Sequence, residues 1–176
     1  MKYLDDEVIK ARAISKEFHK NQNYGDKPYM FHIESVVNKV KQITDSKQAI
    51  ILAYLHDVVE DTKFTYDDVK HNFDDNMAYL VNILTDEEGH NRKERKRKTN
   101  KKLSKVSEDY KDALIVKICD RLANLEHSKE TGNRSKLNMY LKENDDFVKA
   151  VKRDYISENL INELLSYNKL KNKVKP

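Results

Sequence analysis

At 176 residues the chain is long enough for one domain with a real core and too short to expect two. Only 3 Gly and 2 Pro stand against 36% charged residues, a balance that favours helices over a turn-rich β fold. The net charge of +4 is uneven: residues 92–102, RKERKRKTNKK, hold eight basic residues and one acid, leaving −3 for the remainder, which excludes a globally basic nucleic-acid binder.

The first residues, MKYLDDEVIKARA, lack the apolar stretch of a signal peptide. Leu4, Val8, Ala11, Ile14 and Phe18 follow helical spacing and predict a first helix. The polar segment Asn21 to Lys27, with Gly25 inside and Pro28 after it, reads as a loop. His32 opens a second helix whose inner face is Ile33, Val36, Val37, Val40 and Ile43. Asp45-Ser46 can cap a third, strongly apolar helix ending near Glu60. Its apolar run, Ala49 to Leu55, is the longest in the chain and far too short to span a membrane.

Thr65 followed by Asp68 resembles a capping box and predicts a short helix through Phe73. Met77, Leu80, Val81 and Leu84 mark the next helix, and the basic segment at about 89–105 follows, either helical or mobile. Ser107 opens a long helix with Leu114, Ile115, Ile118, Leu122 and Leu125 inward. Cys119 lies in its apolar run and reads as buried packing; a single cysteine permits no internal disulfide, which fits a reducing cytoplasm. Two amphipathic helices close the chain, around Leu137 to Val151 and Ile156 to Leu165. No strand-like alternation, repeat or linker stands out, so the expectation is one all-α domain, residues 1–176.

The chemistry concentrates in ILAYLHDVVEDT. His56-Asp57 at the end of an apolar segment is a poor choice for a core and a good one for holding a divalent metal. His32 upstream and Asp120 downstream complete a set of two histidines and two aspartates, donors suited to Mn²⁺, with Fe²⁺ or Zn²⁺ as alternatives. Asp57, Glu60 and Asp61 fall at i, i+3 and i+4, one helical face, where crowded carboxylates need a cation or shared protons and shift toward the range useful for acid/base work. Lys117, Asp120, Asn124 and His127 make a polar stripe opposite the apolar one on the later helix, as expected of a cleft lining. Each piece alone has a bland reading: a surface His–Asp hydrogen bond, an Asp–Arg salt bridge, a structural histidine. Their conjunction in one short chain favours a metal-dependent phosphohydrolase.

The order His32, His56-Asp57, Asp120 resembles the H…HD…D signature of the HD-domain phosphohydrolases. The words KPYMFH, LAYLHDVVEDT and LIVKICDRLANL resemble the hydrolase half of the RelA/SpoT family, and the length with the ERKRK run is most similar to that family's small stand-alone (p)ppGpp hydrolases. The resemblance runs from about Ile14 to Val151. It implies an HD-domain helical bundle that removes the 3′-pyrophosphate of (p)ppGpp to give GDP or GTP and pyrophosphate. It also implies that His32, His56, Asp57 and Asp120 hold one Mn²⁺, and that Glu60 and Asp61 position and activate the attacking water. Asn124 and Tyr140 match positions near the nucleoside, Lys117 joins the same cleft, and Lys93, Arg95, Lys96 and Arg97 match basic residues that face the phosphates.

The chain departs from the family in the loop before PY, where an arginine that packs on guanine is replaced by Asn21 to Lys27, about one residue short and without arginine. Tyr24 is the expected stacking group there. The usual proline after the first histidine is Ile33. Two alternatives stay open: another nucleotide substrate, such as the 2′-phosphate of NADPH, or a non-catalytic HD domain that binds nucleotide or, through residues 92–102, RNA. The basic run lacks the interleaved aromatics that RNA binding favours. A small nucleotide is the expected partner, with neither nucleic acid nor membrane.

Overall fold

The computed structural model describes residues 5–171, and helices dominate them. The chain divides into two compact units, Met1–Asp86 and Glu87–Pro176. Leu4, assigned above to the first helix, lies outside the described residues.

In the first unit, α1 (Asp6–Phe18) starts at Asp5, whose carboxylate accepts the Glu7 N–H at 2.9 Å. Its buried face is Val8, Ala11 and Ser15, while Ile14 is only half-buried. Phe18, on the helical spacing that marks this helix, is 39% exposed, with its ring edge-on to Phe64 at 4.8 Å. The segment read as a plain loop forms a small antiparallel hairpin, β1 (Asn23–Tyr24) paired with β2 (Lys27–Pro28). Gly25 at φ 66° supplies the one positive φ of its two-residue turn, the pattern of a II′ turn with glycine first. Period-2 alternation cannot reveal strands of two residues, so the hairpin leaves no mark in the residue pattern.

Helix α2 (Met30–Ile43) begins two residues before His32 and buries His32, Ile33, Val36, Val37 and Val40; Ile43, expected inside, is 41% exposed. Helix α3 (Lys47–Leu55) is capped by Ser46, whose hydroxyl accepts the Ala49 N–H at 3.2 Å. Seven consecutive residues, Ala49 to Leu55, are buried, so this helix is apolar all round and runs through the middle of its unit, packed on α1 and α2. Full burial of Ile50, Leu52 and Leu55 contributes about 1.5–3 kcal/mol each. The predicted continuous helix to Glu60 is interrupted: α3 ends at Leu55 and a short α4 (Val58–Asp61) follows. The His56 ring takes the Ala53 carbonyl at 2.8 Å, the acceptor that a continuing helix would offer the Asp57 N–H. Asp57 then sits at φ −107°, ψ −5°, in the sparsely populated bridge region.

Helix α5 (Tyr66–Asn72) carries the predicted capping box in full, Thr65 and Asp68 each accepting the other's backbone N–H. Helix α6 (Asp75–Leu84), capped by Asp74, packs on α3 and α5 and buries Met77, Leu80, Val81, Ile83 and Leu84.

The second unit begins with the basic segment, which is helical: α7 (Arg92–Leu103), capped by Asn91. It buries only Thr99 and Leu103, and ion pairs of Arg92 with Glu143, Lys98 with Glu94 and Lys102 with Glu87 hold an otherwise polar rod. Ser107 precedes a 3₁₀ turn (Glu108–Tyr110) without a side-chain cap, and the long helix itself is α8 (Lys111–Glu130). Leu114, Ile115, Ile118, Leu122 and Leu125 are buried as predicted, with Cys119 among them. Gly132 at φ 66° ends α8 with a Schellman pair, Gly132 N–H to Lys129 O and Asn133 N–H to Ser128 O. Helices α9 (Arg134–Val151) and α10 (Glu158–Ser166) pack on α8 and on each other. Among the described residues no helix is long and apolar enough to cross a membrane.

Candidate metal centre

Helix α3 delivers its C-terminal end into the interior, and its C-cap His56 is 3% exposed. His32, in the first turn of α2, is 2% exposed. Asp57 follows His56 directly. The His56 Nε2 lies 3.0 Å from Asp57 Oδ2 and 3.4 Å from His32 Nε2, and His32 Nε2 lies 3.7 Å from the same Asp57 oxygen. The carbonyl of Ala53 can only accept, so the proton of a neutral His56 sits on Nδ1 and its Nε2 presents a lone pair. Three electron-rich atoms this close are stable only with protons on the rings or a cation among them. Two imidazole nitrogens and a carboxylate oxygen, all within 4.8 Å of one another, make a donor set that fits a divalent transition metal.

A second layer surrounds these atoms. The Tyr29 hydroxyl donates to Asp57 Oδ2 at 2.7 Å and lies 3.2 Å from Asp61 Oδ2. The Tyr29 ring stacks on His19 at 4.7 Å, and Tyr24 stacks on His32 at 4.7 Å. Gln22 ties this layer together: its side chain meets His19 Nδ1 at 2.6 Å and donates to the Asp61 carbonyl at 2.6 Å, while its own carbonyl accepts the Tyr29 N–H at 3.0 Å. Burial pushes the Asp57 carboxyl up, but the facing His56 and His32 imidazoles and the Tyr29 hydroxyl outweigh it and hold the group below the usual carboxylate range. At Asp61, partial burial and then the Asp57 charge push the carboxyl up. Burial lowers His19, against the opposing pull of Gln22.

Of the residues predicted from sequence, the structure brings His32, His56 and Asp57 together and links Asp61 to them through Tyr29. One Glu60 oxygen, Oε2, accepts the Asp86 N–H at 3.0 Å. Asp120, Asn124, Tyr140 and Lys117 belong to the second unit. There Asn124 Nδ2 donates to Asp120 Oδ1 at 2.6 Å, and Tyr140 donates to Asn124 Oδ1 at 3.2 Å. Lys117, Asp120, Asn124 and His127 are all half-buried along α8. On α7, Lys93, Arg95 and Arg97 are exposed and Lys96 is half-buried. Sequence reasoning missed Tyr29, Gln22 and His19, and the Arg121 guanidinium, which reaches Glu143 at 3.2 Å. The signal for Tyr29 was its i, i+3 spacing from His32.

The profile of the family described as HD domain matches residues 11–145. The chain belongs to the HD-domain family. All the predicted site residues lie inside the matched range of this HD-domain chain. Over 121 residues, 68% of the chain, it is 30% identical to guanosine-3′,5′-bis(diphosphate) 3′-pyrophosphohydrolase of Aquifex aeolicus (strain VF5), of which the alignment covers 17%. It is 29% identical over 121 residues to guanosine-3′,5′-bis(diphosphate) 3′-pyrophosphohydrolase MESH1 of Drosophila melanogaster, covering 66% of that protein. To the protein of the same name from Danio rerio it is 32% identical over 124 residues, 67% of each chain. A solved structure of a metazoan ortholog of SpoT, described as hydrolysing ppGpp and acting in starvation responses, superposes with a TM-score of 0.81 at 24% identity, covering 97% of both chains. The structure of lmo0812 from Listeria monocytogenes EGD-e superposes at 0.65 with 19% identity, covering 80% of this chain and 94% of that one. These superpositions establish the all-α HD fold.

Proposed function

We propose that this chain is a metal-dependent hydrolase that removes the 3′-pyrophosphate from (p)ppGpp, giving GDP or GTP and pyrophosphate. The observation that carries the reading is the convergence of His32 Nε2, His56 Nε2 and Asp57 Oδ2, in a chain whose relatives bear the name of that hydrolase. Asp120 is the fourth ligand and Mn²⁺ the metal, supported by the H…HD…D motif and by the preference of mixed nitrogen and oxygen donors. When bound there, the cation supplies Lewis acidity toward a phosphate oxygen and makes water a stronger acid. Asp61 and Glu60 orient the attacking water and take its proton. Tyr24, Asn124 and Tyr140 contact the nucleoside, with Lys117 beside them. Lys93, Arg95, Lys96 and Arg97 meet the phosphates by charge-assisted hydrogen bonds. Residues 1–176 work as one HD-type domain in the cytoplasm, on a small nucleotide rather than a nucleic acid or membrane.

The test is turnover of ppGpp by chelator-treated protein with and without added Mn²⁺, the products separated by ion exchange. Equal yields of GDP and pyrophosphate, lost on chelation and regained with Mn²⁺, are expected. No turnover with Mn²⁺ overturns the reading. One observation favours a second substrate: the hairpin that carries Tyr24 has no arginine, and the Tyr24 ring already stacks on His32. Orthophosphate release from NADPH at a higher kcat/KM than ppGpp turnover would transfer the assignment to that nucleotide while keeping the metal site.

A further inference from the structure

Tyr29 occupies a place that packing alone does not require. It is the N-cap of α2 yet makes no side-chain cap. Its backbone is held on both sides, the N–H by Gln22 O at 3.0 Å and the carbonyl by the His32 N–H at 2.9 Å. Its ring lies flat on His19 and edge-on to Tyr24 at 6.1 Å and to His32 at 5.7 Å. Backbone and ring together leave the hydroxyl little freedom, and it points at carboxylates. The oxygen it reaches at 2.7 Å, Asp57 Oδ2, is the one that faces both imidazoles. A carboxylate that ligates through one oxygen can rotate and exchange its two oxygens, and an O–H fixed on one lone pair of Oδ2 opposes that rotation while leaving the other lone pair for a cation. The same hydroxyl lies 3.2 Å from Asp61 Oδ2. One proton cannot serve two oxygens equally, so the shorter contact orients Asp57 and the longer one keeps Asp61 at a fixed distance from it.

We propose that Tyr29 is a positioning residue: its hydroxyl locks Asp57 in the rotamer that presents Oδ2 to the metal and tethers Asp61 beside that oxygen. The inference rests on the metal-hydrolase reading above. Partners that orient metal ligands typically cost 10–100-fold in metal affinity or activity when removed.

The experiment compares wild type, Tyr29→Phe and His56→Ala. Metal-free protein is titrated with Mn²⁺ by calorimetry, far-UV circular dichroism and thermal melting of the metal-free forms check the fold, and kcat and KM for ppGpp are measured at saturating Mn²⁺. Tyr29→Phe is expected to raise the Mn²⁺ Kd about 10–100-fold and to lower kcat about 10-fold with KM little changed. The metal-free melting temperature should stay within about 3 °C, because the ring contacts remain. Placing 4-aminophenylalanine at position 29 restores a donor and should bring both values back. Wild-type Kd or wild-type kcat in Tyr29→Phe overturns the proposal. If Tyr29→Phe loses its helical signal, 4-fluorophenylalanine at position 29, which fills the hydroxyl's space without donating, replaces it under the same criteria. His56→Ala separates the two levels: if it still binds Mn²⁺ like wild type, the metal centre itself is wrong, whereas loss of binding there with normal binding in Tyr29→Phe removes only the role of Tyr29.

Discussion

Each unit of the molecule gathers buried ionisable groups, and the two gatherings are built on opposite principles. In the second unit Glu143 receives Arg92 through two hydrogen bonds, at 2.6 and 3.1 Å, and Arg121 through a third at 3.2 Å. The two guanidiniums also face the Tyr140 ring, Arg121 at 5.1 Å from its centroid and Arg92 at 5.8 Å. Burial raises Glu143, but the Arg92 hydrogen bond and the Arg121 charge outweigh it and keep the carboxyl below its usual value. This cluster supplies its own cations. In the first unit His32, His56 and Asp57 bring three lone-pair-bearing atoms together, and the surrounding Tyr29, Gln22 and His19 contribute hydrogen bonds. A cluster that carries its own counter-charges is complete without a ligand, whereas three facing donor atoms fit a bound cation. The distinction lies in the partners, not in how buried or how charged the groups are.

That contrast is broken most directly at the ligands. His56→Ala or Asp57→Ala is expected to abolish turnover, by about 10³-fold or more, on the scale of lost metal catalysis, while far-UV circular dichroism stays close to wild type. Wild-type-like rates in either variant would mean that the first cluster is structural after all. Next in size is the pair of acids beyond the ligands. If Asp61, linked to Asp57 through Tyr29, acts on the attacking water as proposed, Asp61→Asn should lower kcat by about 10²-fold with Mn²⁺ still bound. Glu60 accepts the Asp86 N–H instead, so Glu60→Gln should have the smaller effect of the two. Metal loss in Asp61→Asn with an unchanged rate per bound metal would reverse the roles of ligand and base.

Much of this was legible in the sequence, for identifiable reasons. The apolar run Ala49 to Leu55 is hydrophobic on every side, so it had to be buried, and whatever follows it had to lie near the interior. His56-Asp57 reads from sequence as a metal-holding pair at the end of that run, and the structure sets His56 at 3% exposure. The capping box at Thr65 and Asp68 uses local hydrogen bonds at fixed spacing and was recoverable from four letters. The break between α3 and α4 was not, because it depends on a ring hydrogen bond from His56 to Ala53 that periodicity does not record. Phe18 and Ile43 kept the right helical phase but sit at the last turns of their helices, where nothing covers them enough to bury them. Tyr29 escaped notice because a tyrosine before a helix is ordinarily packing, and only its hydroxyl contacts reveal more. The sequence of the polar helix α7 does not decide between helical and mobile, since its ion-pair partners Glu87 and Glu143 lie outside its own segment.

The Glu143 cluster offers the next test. Glu143→Gln leaves Arg121, 7% exposed, without a carboxylate while keeping the shape. Loss of hydrogen bonds to charged groups is worth about 1.5–3 kcal/mol, at the lower end here because Arg92 is partly exposed. The melting temperature should fall by roughly 3–8 °C. Mn²⁺ affinity should be unaffected, and a tenfold weaker Kd in Glu143→Gln would show that the two clusters are not separable in the way the comparison holds.

The smallest effect on the protein itself is expected on α7, and it tests whether exposed charge there has a use. Lys93 and Arg97 are exposed, four residues apart on one face of the helix, and neither is among its ion pairs. Removing them breaks none of these ion pairs and loses only the screened Coulombic attraction between Arg97 and Glu94, so the double variant Lys93→Ala with Arg97→Ala should melt within about 1 °C of wild type, as surface substitutions do. If the pair meets substrate phosphates, KM should nevertheless rise, and rise more for pppGpp than for ppGpp, because each added phosphate adds a charge-assisted contact to lose. The increase should shrink as ionic strength is raised, since exposed charges are screened over about 8 Å at physiological salt. A KM equal to wild type for both nucleotides at low salt would identify the stripe as solvated surface that serves the helix and nothing else.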